Sequence, residues 1–176
     1  MNYGINICYE SRIYYLDKTI ILREYTSKDC VEIMQLFYDT IHSVNAVDYN
    51  ESQLNAWAPK EIDSSLTYWD NRFLQDSTVV AEKDGVIIGV GTLKFPDYFD
   101  MLYVHKECQR VGVATLIADK IEKIFRDNNI AIITTDASIT AKPFFVKRGY
   151  VVLKEQSVEI RGQHLINYKM QKMLAI

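Results

Sequence analysis

The sequence predicts an α+β domain in which one mixed sheet carries helices on both faces. Short apolar runs of strand length alternate with amphipathic segments of helix length, in the order β, α, α, β-β-β, α, β, α, β-β. Asp84-Gly85 stands between two apolar runs as a hairpin signal, and Arg161-Gly162 joins the last two strands. A chain of 176 residues without internal repeat or low-complexity linker suits a single core.

Residues 1–17 form a polar, tyrosine-rich lead-in with weak periodicity, read as an N-terminal extension to one domain over 18–176. From Thr19, TIILREY reads as a strand. Thr26-Ser27 offers an N-cap to the helix KDCVEIMQLFYDTIHSV, with Val31, Met34, Leu36, Phe37 and Ile41 on its inner face. Short helical patterns follow around LNAW and SSLTYWDNRFL, with Pro59 as a break. STVVAEKDGVIIGVGTLKF is the hairpin, and Asp100 to Val104 is the next strand. Val111 to about Asp127 is a helix, IAIITTDAS a buried strand, and TAKPFFVKRG a short helix ending at Gly149. YVVLKEQSVEI and HLINYKMQKML are the closing strands.

Composition excludes several classes. The hydrophobic share of 48% and charged share of 24% are ordinary for a globular domain. A net charge of −3 without blocks of like charge argues against a nucleic-acid partner. Cys8, Cys30 and Cys108 form no CxxC pair and have no neighbouring histidines, so neither a disulfide framework nor a metal site is expected. No basic n-region opens the chain, and no apolar run approaches the roughly 18 residues of a membrane span. The expectation is a cytoplasmic protein that does not engage a membrane.

The chemistry concentrates where the strand before Val104 meets the following helix. Gln109-Arg110-Val111-Gly112-Val113-Ala114-Thr115 brings small residues and no acidic side chain to a helix start. The first N–H groups of a helix lack intrahelical partners, and the dipole is positive there. Gly112 and Ala114 remove bulk, so an anion can touch those amides. Neither GxxxxGK[ST] nor GxGxxG is present. On this stretch alone, glycine for close helix–strand packing explains the pattern equally well.

Gln109-x-x-Gly112-x-Ala114 after a strand resembles the Q/R-x-x-G-x-G/A signature of the GNAT acyltransferase superfamily. Ser138-x-x-Ala141-x-x-Phe144-Phe145-x-x-x-Gly149-Tyr150 is similar to its second motif, N-x-x-A-x-x-F-Y-x-x-x-G-F. QLNAWAP, DMLYVH, DASITAKPFF and RGQHLINYKM resemble the YafP-type branch. The resemblance implies a sheet splayed at the cofactor site and acetyl-CoA as donor, with no metal. Its pyrophosphate would lie on Gln109, Arg110, Val111, Gly112, Val113, Ala114 and Thr115. The pantetheine arm would run beside Leu102, Tyr103 and Val104, facing Ser138, Ala141, Phe144 and Phe145. Lys147, Arg148 or Arg110 would reach a phosphate, or serve as solvated cations. A homodimer is left open.

Acetyl transfer to an amine needs a neutral nitrogen, and an alkylamine titrates near the lysine value of ~10.4, so a base must take a proton. The implied base is Asp100, which strand alternation would put on one face with Leu102 and Val104; the alternative is that Asp100 only ends the Pro96-Asp97-Tyr98 turn. His42 and Tyr49 are weaker candidates. The superfamily's usual general acid is a tyrosine, and Phe145 stands in that place. Water, Tyr103, Tyr150 or Tyr168 would substitute, since a thiolate of pKa near 8.5 is a tolerable leaving group. Cys108, just before the cradle, raises a covalent acetyl-cysteine route, whereas the family's chemistry is direct transfer. Trp57, Trp69, Tyr49 and Phe73 would form an aromatic box or, for at least two of them, core. Two functions follow: acetyl-CoA-dependent N-acetylation of a small amine or peptide, or non-catalytic acyl-CoA binding.

Overall fold

The structure, a computed structural model, describes residues 20–60 and 66–175, so the lead-in 1–17 lies outside the described residues. Seven strands form one sheet: β1 (Ile21–Glu24), β2 (Ser77–Lys83), β3 (Val86–Lys94), β4 (Tyr98–Val104), β5 (Ile132–Ser138), β6 (Val151–Ile160) and β7 (Gln163–Met173). Their order is β1-β2-β3-β4-β5-β7-β6, and every neighbouring pair is antiparallel except β4–β5. Helices α1 (Cys30–Ser43), α2 (Glu51–Trp57) and α3 (Leu66–Gln75) cover one face. On the other lie α4 (Val113–Asp127) and α5 (Lys142–Lys147). The predicted α+β architecture is the observed one.

Both hairpin turns have the expected chemistry. Asp84 (φ 54°) with Gly85 (φ 80°), and Arg161 (φ 46°) with Gly162 (φ 77°), are left-handed at both central positions, which matches the twist of the strands they join. Asn50 caps α2 by accepting from the Gln53 N–H (3.0 Å), while the Gln53 side chain accepts from the Asn50 N–H (2.9 Å). In α1 the inner stripe is Cys30, Ile33, Met34, Phe37 and Ile41. Val31 is not part of it: at 63% exposure it faces solvent, turned roughly 100° from Cys30.

The register of β3 on β4 contains the feature that shapes the site. Thr92 faces Met101 and Leu93 faces Phe99, so Asp100 is an extra residue, a bulge. Leu102 and Val104 pack toward α4, whereas Met101 and Tyr103 belong to the core under α1–α3. Asp100 turns the same way and ion-pairs with Arg72 of α3. The shared face expected for Asp100, Leu102 and Val104 is therefore corrected. A bulge breaks the period-two alternation, and it puts the carboxylate opposite the two apolar side chains.

β4 and β5 register at one pair, Tyr98 with Thr134. Beyond it the Thr135 hydroxyl, rather than a backbone amide, reaches the Phe99 carbonyl (2.8 Å). The strands splay from there, leaving main-chain donors and acceptors along the inner edges of a V.

α4 sits close on β3 because two glycines let it. A Cβ on Gly91 would lie 2.4 Å from Ile117 Cγ2, and one on Gly89 2.8 Å from Ile117 Cδ1. Gly91→Ala is expected to lower unfolding free energy by about 1–3 kcal/mol through overpacking, read as a fall in the denaturant midpoint at constant slope.

Candidate active site

The loop from β4 to α4 is wound tightly. Arg110 (φ 61°) and Gly112 (φ 96°) are left-handed, and Gly112 is the N-cap of α4. The Gln109 side chain donates to the Val104 carbonyl (2.6 Å), fastening the loop to the end of β4. Gly112 offers no capping side chain, and among the described residues none caps the first N–H groups of α4 from Val113 onward. A Cβ at Gly112 would meet no atom within 4 Å. Packing accounts for Gly89 and Gly91, whereas Gly112 has the left-handed backbone that favours glycine, and among the described residues nothing covers the approach to the α4 amides there.

On the α1–α3 side of the V lies a cavity of about 470 Å³. Tyr38, Trp57, Tyr68, Trp69 and Tyr103 are among its walls, and Asp100, Asp136, Arg72, Ser138 and Asn167 contribute polar groups. Asp100 is held through one oxygen: its Oδ2 accepts from Arg72 Nη2 and lies 3.3 Å from Lys94 Nζ and 3.4 Å from the Thr92 hydroxyl. Arg72 also stacks its guanidinium 4.8 Å above the Trp69 ring. Across the V, Asp136 accepts from the Tyr98 hydroxyl (3.0 Å) and from Gln156 Nε2 (2.9 Å). Arg72, Asp136 and Asn167 were missed in the sequence, because each comes from a different element and only the fold gathers them.

Among the tyrosines proposed to replace the missing phenol, Tyr103 alone lines this cavity. Burial pushes its phenol well above the ordinary tyrosine value, so it is a protonated group at neutral pH. Tyr150 is buried beside Phe145, and Tyr168 lies under Lys142 Nζ (3.6 Å). Phe145 is 3% exposed and does not line the cavity; its ring meets Phe99, Phe144 and Tyr150 edge-on. Phe145→Tyr would add a hydroxyl to this apolar cluster. The expected result is a loss of about 1–3 kcal/mol in stability with no rise in turnover, checked by thermal unfolding alongside activity.

The remaining candidates have structural duties. Ser138 Oγ accepts from the Ala141 N–H (3.0 Å) and starts the turn into α5, where Ala141 and Phe144 pack against the α4 core. His42 is bonded to the Ala58 carbonyl (2.8 Å) and stacked on Tyr38. The Tyr49 hydroxyl donates to the Ile166 carbonyl (2.6 Å) and accepts from the Ile139 N–H (2.9 Å). Arg148 is spent on Glu122 (3.0 Å) and Asp119 (2.7 Å). Cys108 does not line the cavity, and burial pushes its thiol up, away from the reactive thiolate. Of the four aromatics, Phe73 and Tyr49 are buried core, while Trp57 and Trp69 are half-buried in the cavity wall. Among the described residues no group of His, Cys, Asp and Glu is arranged to hold a metal.

A splayed α+β sheet with a helix starting beside the splay is the arrangement of an acyltransferase scaffold. Residues 45–172 match the acetyltransferase (GNAT) domain family, and the chain belongs to that family of acetyl-CoA-dependent N-acetyltransferases. It is 32% identical over 152 residues to the uncharacterized N-acetyltransferase YafP of Escherichia coli (strain K12), spanning 86% of this chain and 95% of that one. A crystal structure of a GCN5-related N-acetyltransferase from Rhodopseudomonas palustris superposes with a TM-score of 0.83 at 37% identity, over 88% of this chain and 95% of that one. The PaiA N-acetyltransferase of Thermoplasma acidophilum, solved in complex with coenzyme A, shares the fold at a TM-score of 0.73 and 16% identity, over 89% and 99% of the two chains.

Proposed function

We propose that the protein moves the acetyl group of acetyl-CoA directly to a primary amine of a small molecule or peptide, both substrates being bound together. The observation that carries this reading is the half-bound carboxylate of Asp100. Oδ2 is anchored by Arg72, Lys94 and Thr92, while Oδ1 has no partner among the described residues in a side chain that lines the cavity. In this reading the α4 amides from Val113 and the loop at Arg110 to Gly112 take the pyrophosphate, and the pantetheine arm lies along Leu102–Val104 in the V. The amine enters from the cavity and gives its proton to Asp100 Oδ1. Nitrogen then bonds to the thioester carbonyl carbon, the C–S bond breaks, the thiolate takes a proton from Tyr103, and the second proton shed by the acylated nitrogen restores the Tyr103 phenol. The free thiols of Cys30 and Cys108 support a reducing compartment such as the cytoplasm. One domain over 18–176, with 1–17 as an extension, is part of the same proposal.

The test is CoA thiol release on mixing the protein, acetyl-CoA and a panel of primary amines, with mass detection of the acetylated product. An acetylamide product is expected. Tight acetyl-CoA binding without product from any amine would favour the non-catalytic acyl-CoA-binding module.

A further inference from the structure

We propose that the acceptor carries a second nitrogen, cationic at neutral pH, held by Asp136 and Asn167 while its first nitrogen is acetylated. This rests on the N-acetyltransferase reading and adds the substrate's chemical class. The attacking nitrogen must be neutral, so a carboxylate that only stabilises a cation is not what the reacting atom needs. Asp100 already serves that atom. Asp136 is a second carboxylate on the wall opposite, and both of its oxygens are oriented by neutral donors, Tyr98 and Gln156. Among the described residues it has no ion pair; its ladder neighbour on β7, Lys169, is exposed. A half-buried carboxylate without a counter-charge is unfavourable until a cation meets it.

A second observation points to the same ligand. Asn167 lines the cavity, and its Oδ1 is shielded from solvent without a hydrogen-bond partner among the described residues. An acceptor so placed calls for an N–H donor. Asn167 pairs in the ladder with Ser138 of β5, two residues beyond Asp136 on the same face, so carboxylate and amide oxygen share one wall. The aromatic walls, Trp57 and Tyr68 among them, favour a cation passing between them. Neither arginine of the lining opposes this. Arg72 is neutralised by Asp100, and Arg161 sits on the exposed β6–β7 turn donating to the Ala56 carbonyl (2.6 Å).

Diaminobutane and n-butylamine differ by the nitrogen at issue. With the parent protein, kcat/KM for the diamine should exceed that for the monoamine by about 10–100-fold, the value of hydrogen bonds to a charged group. In Asp136→Asn, which keeps size and an acceptor for Tyr98, that ratio should fall toward one, mostly through KM for the diamine. Asn167→Leu should lower the ratio as well. Equal kcat/KM for the two amines, or an undiminished ratio in Asp136→Asn, would overturn the proposal. Calorimetric titration of diaminobutane separates the two readings. Diamine binding that Asp136→Asn abolishes, without turnover of either amine, would uphold the cation site and overturn acetyl transfer. Turnover of both amines alike would uphold transfer and overturn the cation site.

Discussion

Gly112→Glu is expected to weaken acetyl-CoA binding by about 10³-fold while the protein stays folded. The open space over Gly112 is what the added carboxylate would fill, since no protein atom lies within 4 Å of a Cβ there. A unit charge about 4 Å from a phosphate costs roughly 4 kcal/mol at an effective dielectric near 20, which is close to three decades in Kd. The same substitution removes the uncrowded approach to the α4 amides. Glu at φ 96° is also strained, so a modest fall in melting temperature is expected. The check is calorimetric titration of acetyl-CoA, with circular dichroism to confirm the fold. Unweakened binding by the folded variant would move the pyrophosphate elsewhere.

Asp100→Asn is expected to cut kcat by about 10²–10⁴-fold, the range for loss of a positioned general base, with acetyl-CoA affinity held within a few fold. The substitution keeps the side-chain shape but removes the acceptor that would take the amine's proton. The basic groups Arg72 and Lys94 lose a counter-charge, so some stability is lost too. The diagnostic readout is the pH–rate profile: the limb that rises as the base deprotonates should vanish. An unchanged profile at reduced rate would return Asp100 to a purely structural place beside Arg72.

How much of this was legible beforehand depended on whether the signal was local. Both hairpins announced themselves through Asp84-Gly85 and Arg161-Gly162, and the α4 start through Gly112 and Ala114. These features are fixed by backbone conformation a few residues long. The bulge at Asp100 was not legible, because YFDMLYV alternates smoothly and the extra residue shows only against β3. Phe145 in the place of a tyrosine was visible; that its ring would be enclosed by Phe99, Phe144 and Tyr150 was not. Asp136 had a weak signal, as the one charge in IAIITTDAS, on the same strand face as Ser138. Arg72 and Asn167 had none, since a helical arginine and a strand asparagine acquire meaning only from the cavity they share.

Direct transfer, as proposed, requires both substrates on the protein at once and no acetyl group parked on it. Initial rates measured against amine at several fixed acetyl-CoA concentrations test this directly, because a covalent acetyl-enzyme gives ping-pong kinetics. Double-reciprocal lines that intersect are expected, for any amine the protein acetylates and equally for a Cys108→Ser variant. Parallel lines in the parent would contradict direct transfer, and their disappearance in Cys108→Ser would assign the acetyl carrier to that thiol.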